Sequence, residues 1–113
     1  MKRGEVWIGN LNPTRGAEVG KVRPVLIVQA DFLTSAGNET IVVLPLTTQV
    51  RPSLEPLRVP VPARDRLRQA CHVIPERPRT LDRRRLKDGP LTMLSPDEMA
   101  RVERVLRTVL GLP

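Results

Sequence analysis

Apolar residues in this chain come in short runs, each cut off by Pro, Gly or Asn. The runs are Glu5–Leu11, Val22–Gln29, Thr40–Leu46, Leu57–Val61 and Cys71–Ile74. Runs this short between turn-forming residues predict β-strands. The second and third are nearly continuous in Val, Ile and Leu, which predicts buried central strands. Pro45 stands at the end of the third run. It has no N–H to give to a ladder, so pairing is expected to stop or bulge there. Twelve prolines in 113 residues gather at Pro52–Pro62 and Pro75–Pro90, where they read as stiffeners of turns. A short helix is expected over Ala30–Ala36, closed by Gly37. The clearest element comes last. Ser95-Pro96-Asp97-Glu98 spells a capping box with Pro at the first helical position and acids in the first turn. Met99, Val102, Val105, Leu106, Val109 and Leu110 then recur on one helical face, and Gly111 is a natural stop. The spacing predicts a helix over Pro96–Leu110. The layout is mostly β: a small, strongly curved antiparallel sheet, partly closed into a barrel, with a C-terminal helix packed on it. The length suits one domain over residues 1–113.

Charge narrows the partners. The chain carries 19 Lys+Arg, sixteen of them Arg, against 12 Asp+Glu, for a net charge of +7. Residues 51–87 hold eleven basic and four acidic groups, while the flanking segments nearly balance. A concentrated basic excess favours an anionic partner, with nucleic acid ahead of a membrane surface. With one Trp, one Phe and no Tyr, the chain is poorly equipped to bind single strands by stacking bases on aromatic platforms. Cys71 and His72 are the only residues of their kinds. No disulfide framework and no Cys/His metal cage follows from them, and any catalytic triad would have to use His72. In this pattern Cys71 reads as a small core hydrophobe and His72 as structural. No apolar leader and no bilayer-length stretch is present, so a cytoplasmic protein that does not enter membranes is expected.

Three segments hold candidate chemistry. The first is the Gly-punctuated loop Asn12–Lys21, which feeds the strand Val22-Arg23-Pro24-Val25. Arg23 precedes a proline, so its backbone is extended and its donors are fixed in direction. A guanidinium held there suits a phosphate bound through two parallel hydrogen bonds. The alternative is a rim ion pair with Glu18. The second is Leu44-Pro45-Leu46-Thr47-Thr48-Gln49, where two hydroxyls and an amide follow a strand end. The third is Glu76-Arg77-Pro78-Arg79-Thr80-Leu81-Asp82, two arginines flanked by two acids, in which Glu76 would share proton and charge duties with Arg23 if the two face each other; the alternative is that Glu76 and Asp82 simply balance a basic face. Arg83-Arg84-Arg85 reads as an electrostatic footprint or a solvated charged face.

With these residues in view, the chain resembles the MazF/PemK (Kid) family of toxin endoribonucleases along essentially its whole length. "RGEVWIGNLNPTRGAEVGKVRPVLIVQ" is similar to that family's N-terminal signature, "VVLPLTTQ" to its Pro-x-Thr segment, and "ERPRTLD" to its third block. The resemblance implies an SH3-like, partly open antiparallel barrel of the CcdB/PemK-like kind, assembled as a homodimer. It implies cleavage of single-stranded RNA by attack of the ribose 2′-OH, leaving a 2′,3′-cyclic phosphate and a 5′-OH end, with no cofactor and no metal. It also implies a cognate antitoxin whose acidic, disordered segment covers the RNA groove. Carried over residue by residue, Arg23 falls at the scissile phosphate, Thr47 on the catalytic Thr, and Glu76 where related members have an Asp thought to assist proton transfer. RNA binding falls to Arg15, Gly16, Glu18, Lys21, Thr48, Gln49, Arg51, Arg77 and Arg79, with a structural role for Arg79 held open. Gln29 is a further candidate base reader. Two departures stand out: Ala17 where some members have His, and Ile74 where Kid-type members have Arg. The rival readings are a CcdB-like toxin that poisons gyrase by protein binding, and an RNA-binding module that leaves RNA intact.

Overall fold

The computed structural model describes every residue except Val19, which lies in the loop singled out above, and Val50. Seven strands follow in order: β1 (Glu5–Asn10), β2 (Val22–Ile27), β3 (Thr40–Thr47), β4 (Val59–Val61), β5 (Cys71–Val73), β6 (Arg79–Asp82) and β7 (Leu86–Met93). Helix α1 (Asp31–Ser35) joins β2 to β3, and α2 (Pro96–Leu110) closes the chain. All pairs are antiparallel, in the order β4-β5-β3-β2-β1-β7, with β6 also paired to β3. The result is a curved, partly open antiparallel barrel with a C-terminal helix, as the spacing of apolar runs predicts.

Burial explains why the second and third runs are so uniformly apolar. Along β2, Leu26 points into one core while Val25 and Ile27 point into another. Along β3, Leu44 and Leu46 join the first core while Ile41 and Val43 join the second. A strand buried on both faces leaves no place for polar alternation. The first core continues into α2 through Met99 and Val102. The capping box forms: Ser95 Oγ accepts from the Glu98 backbone at 3.2 Å, and the Glu98 carboxylate accepts from the Ser95 backbone at 2.8 Å. Gly111 ends the helix in the left-handed region at φ 69°, where glycine carries no side-chain penalty.

Pro45 does not end its strand. β3 runs on to Thr47 and stays paired with β2 at Val25–Pro45. Its other edge pairs with β6 from Thr40 to Val43 and with β5 from Leu46 onward. The missing N–H therefore falls where β3 changes partner. The Pro45 carbonyl still accepts, from the Ile74 backbone at 2.9 Å.

Two strands, β6 and β7, emerge from segments that read as turns. In β7 the cause is a bulge. Val6 pairs with Thr92 but Ile8 pairs with Lys87, so the chain around Asp88–Leu91 carries extra residues opposite Trp7. Gly and Pro are tolerated at such irregularities, and there they do not signal a strand's end. Gly89 is required by contact: a Cβ there would lie 2.0 Å from Trp7 Cδ2. The fourth run is likewise shortened, because Pro52–Leu57 forms a 3₁₀ turn ahead of β4. Among the described residues, no helix is long and apolar enough to cross a membrane.

Candidate functional site

The loop between β1 and β2 is shaped by its own backbone and by arginines from elsewhere. Leu11 and Lys21 close its base: the Leu11 N–H donates to the Lys21 carbonyl at 2.9 Å, and the Lys21 N–H to Asn12 Oδ1 at 3.0 Å. Arg77 donates to the Ala17 carbonyl at 2.6 Å and Arg79 to the Leu11 carbonyl at 3.4 Å. Arg85 donates to the Asn10 carbonyl at 3.3 Å and also to that of Asn12. The third sequence block thus braces the first. Arg79 is engaged in that bracing.

The braced loop leads straight into Arg23. Its Nε donates to the Gly20 carbonyl at 2.8 Å and its Nη1 to the Leu46 carbonyl at 3.4 Å. Both partners are neutral, and the rim ion pair with Glu18 does not form: a Glu18 carboxylate oxygen accepts instead from the Arg15 backbone at 2.5 Å. Partial burial draws the Arg23 guanidinium below its ordinary pKa. The group is therefore a cation partly stripped of water and not neutralised by any described carboxylate. Such a group favours an anion.

Thr47 stands next to it. Followed two residues on from the Val25–Pro45 pair, the β2–β3 register sets Arg23 opposite Thr47. Thr47 Oγ1 accepts from the Gln49 backbone at 3.1 Å, which fixes the turn leaving β3 and leaves the hydroxyl proton to donate elsewhere. On the other side Thr47 pairs with His72. The His72 Nδ1 is buried without a hydrogen-bond partner among the described residues, but His72 lines neither of the clefts described next. Cys71 is buried in the first core, where desolvation pushes its thiol up and away from reactivity.

Arg23, Thr47 and Gln49 form a saddle between two clefts. The larger, of about 520 Å³, adds Lys21 and Thr48, three basic or amide side chains (Arg66, Arg68, Gln69), and an apolar wall including Ile8, Val22, Pro24, Leu46 and Leu91. The smaller, of about 270 Å³, adds Glu18, Arg51, Arg58, Arg77 and Ile74. One cleft offers apolar surface for a flat ring with polar groups to read its edges. The other offers a concentration of guanidinium groups.

The expected site residues divide accordingly. The two clefts bring together Arg23, Thr47, Lys21, Thr48, Gln49, Glu18, Arg51 and Arg77. Arg15 and Gly16 lie exposed at the loop tip, lining neither. Among the described residues Glu76 makes no hydrogen bond or ion pair with Arg23. Both its carboxylate oxygens accept from Arg58 Nη1 in a half-buried ion pair. Gln29 is no base reader: it is 5% exposed, its Nε2 donates to Thr34 Oγ1 at 3.1 Å, and its Oε1 accepts from the Val42 backbone at 3.2 Å. Arg58, Arg66, Arg68 and Gln69 were not singled out from sequence. The signal that could have found them is the basic excess of residues 51–87, which places charge in that segment without saying which arginines turn inward. Among the described residues, no three His, Cys, Asp or Glu side chains gather as metal ligands.

The chain belongs to the family described as PemK-like, MazF-like toxin of type II toxin-antitoxin system, whose model matches residues 2–110. It is similar in structure to MazF from Deinococcus radiodurans (24% identity, TM-score 0.85, covering 99% of this chain and 97% of that one). It is also similar to an endoribonuclease in complex with its cognate antitoxin from a mycobacterial species (27% identity, TM-score 0.77, 100% and 97% covered). A third similar structure is the Mycobacterium tuberculosis toxin MazF-mt6 (23% identity, TM-score 0.78, 96% and 98% covered).

Proposed function

We propose that this protein is a sequence-specific endoribonuclease toxin that cuts single-stranded RNA with the RNA's own 2′-OH as nucleophile. The observation that carries the reading is Arg23: a partly desolvated guanidinium, held by two neutral carbonyls, beside a threonine hydroxyl and between two clefts. In-line attack by a 2′-OH builds extra negative charge on the phosphate oxygens, and fixed donors aimed at that charge lower the barrier. Arg23 supplies the stabilising charge. Thr47 donates to a nonbridging oxygen or positions the 2′-OH. The nucleotides on either side of the scissile phosphate rest in the two clefts, one base against the apolar wall with its edge read by Gln49, Gln69 and neighbouring arginines.

The protein works as a homodimer in the cytoplasm, held silent by an antitoxin. A disordered acidic segment of that partner suits the same clefts, since it would neutralise arginines that otherwise meet phosphates. The test is to map cleavage sites across a long single-stranded RNA with purified protein in excess EDTA. The expected result is a small set of sites sharing one short sequence, with 5′-OH fragment ends. RNA bound and left intact would assign the protein to the non-catalytic readings instead.

A further inference from the structure

Arg58 is unusual among the arginines of this molecule. Arg64 spends its whole fork on protein: Nε on Thr92 Oγ1 at 3.2 Å, Nη1 and Nη2 on the Glu98 carboxylate at 2.8 and 2.6 Å, and Nη2 again on the Met93 carbonyl at 3.0 Å. Arg83 likewise bonds the Asn38 and Thr34 carbonyls. These are structural arginines. Arg58 is more buried than Arg64, with 11% against 29% of its side chain exposed. Yet it commits only Nη1, to the two oxygens of Glu76. The three N–H donors on Nε and Nη2 have no partner among the described residues. They are not enclosed either, for Arg58 lines the smaller cleft with Arg23 and Thr47.

Placement follows from the sheet. Arg58 immediately precedes β4, and continuing the Val59–Val73 pair by one residue sets it across from Ile74, whose N–H donates to the Pro45 carbonyl. Residues 45 and 47 share a face of β3, as do 72 and 74 along β5 and the residue that continues it, because side chains alternate along a strand. Arg58 therefore stands on the sheet face that carries Thr47, one step further along the strands. A planar fork fixed by a carboxylate through one nitrogen, in a side chain that lines a basic cleft and has donors left unspent, is suited to bind an anion.

We propose that Arg58 is a second phosphate-holding guanidinium of this site, binding the phosphate next to the one at Arg23, and that Glu76 is the positioning residue that aims it. The proposal rests on the reading of the site as one that takes RNA, and it gives Glu76 a duty other than that of general base. The loss of a direct phosphate contact weakens binding and lowers the salt slope by about 0.7 for a single strand.

The test is fluorescence anisotropy of a labelled, all-2′-deoxy single-stranded oligonucleotide, which cannot be cleaved, titrated at several NaCl concentrations. Arg58→Ala strands the Glu76 carboxylate and risks misfolding, so the decisive variant is R58Q/E76Q, which removes both charges and leaves the net charge unchanged. The expected result is roughly tenfold weaker binding at low salt and a slope shallower by about 0.7. An affinity and slope equal to wild type would overturn the Arg58 assignment. In parallel, Glu76→Gln is expected to change KM more than kcat in RNA cleavage and to leave the pH profile in place. A more than hundredfold fall in kcat with unchanged affinity would make Glu76 the base and overturn its positioning role. A slope change in protein that leaves RNA intact would support Arg58 as an anion site and overturn only the cleavage reading.

Discussion

Removing the Arg23 side chain is the perturbation that reaches furthest into this account. Arg23→Ala takes away a partly desolvated cation that no described carboxylate neutralises. Two consequences separate cleanly. For the fold, the lost partners are two carbonyls, Gly20 and Leu46, at 2.8 and 3.4 Å. Arg23 is only half-buried, so water replaces it on both, and the cost is about 1 kcal/mol. That is a shift of a few degrees in a thermal melt, with the circular dichroism spectrum unchanged. For the reaction, the loss is that of a preorganised donor aimed at charge that develops in the transition state, about 3–4 kcal/mol or a 10²–10³-fold fall in rate. Single-turnover cleavage of a fluorophore–quencher RNA at saturating protein reads the chemical step apart from binding. Arg23→Lys is expected to recover only part of the rate, because an ammonium keeps the charge but has no planar fork. An Arg23→Ala protein that is folded and cleaves within about threefold of wild type would refute the phosphate assignment, since a threefold change is well under 1 kcal/mol.

Three further expectations follow from other parts of the molecule. Thr47→Val keeps the shape and removes the hydroxyl; it should slow the chemical step by about ten- to a hundredfold, the worth of one hydrogen bond to a charged group, while leaving anisotropy-measured binding nearly unchanged. Gly89→Ala should lower stability by at least about 1–3 kcal/mol in chemical denaturation, because the new Cβ would stand 2.0 Å from the Trp7 ring and the bulge of β7 would have to shift. The hydrogen bonds from Arg64 hold the Glu98 carboxyl down at about 2, below its ordinary 4.5. Its folded pKa is depressed, so its stabilisation is complete above about pH 4.5 and is lost as pH falls through about 2. Glu98→Gln should flatten that part of the stability–pH curve measured by urea unfolding.

How much of this was legible in the sequence depends on what each segment had to signal. β2 and β3 announced themselves because strands buried on both faces read as unbroken Val, Ile and Leu. Helix α2 did so through its capping box and one-sided apolar stripe. β7 did not, because Gly89 and Pro90 look like punctuation. Only the β1–β7 register, with Trp7 packed against the Gly89 backbone, shows that the strand continues through a bulge. Pro45 misled in the same direction, since nothing local reveals that β3 changes partners where the proline lacks its N–H. At the site, Arg23 drew notice from its place before a proline, while the strand end offered Thr47, Thr48 and Gln49 together and only the family resemblance chose Thr47 among them. The partner of Glu76 could not, because Arg58 is eighteen residues away and reaches it only through the β4–β5 pairing. Gln29 looked like a polar reader beside a basic surface, but its side chain closes the α1–β3 junction.

The central claim is that Arg23 and Thr47 serve a reaction whose nucleophile belongs to the substrate. The most direct measurement uses two RNAs that differ by one atom: the mapped cleavage sequence, and the same sequence with a single 2′-deoxy nucleotide on the 5′ side of the scissile phosphate. The account predicts that both bind alike. Only the all-ribose strand is then cut, giving a 2′,3′-cyclic phosphate and a 5′-OH. Cleavage of the substituted strand at the same bond and a comparable rate would show that the nucleophile comes from elsewhere and would contradict it.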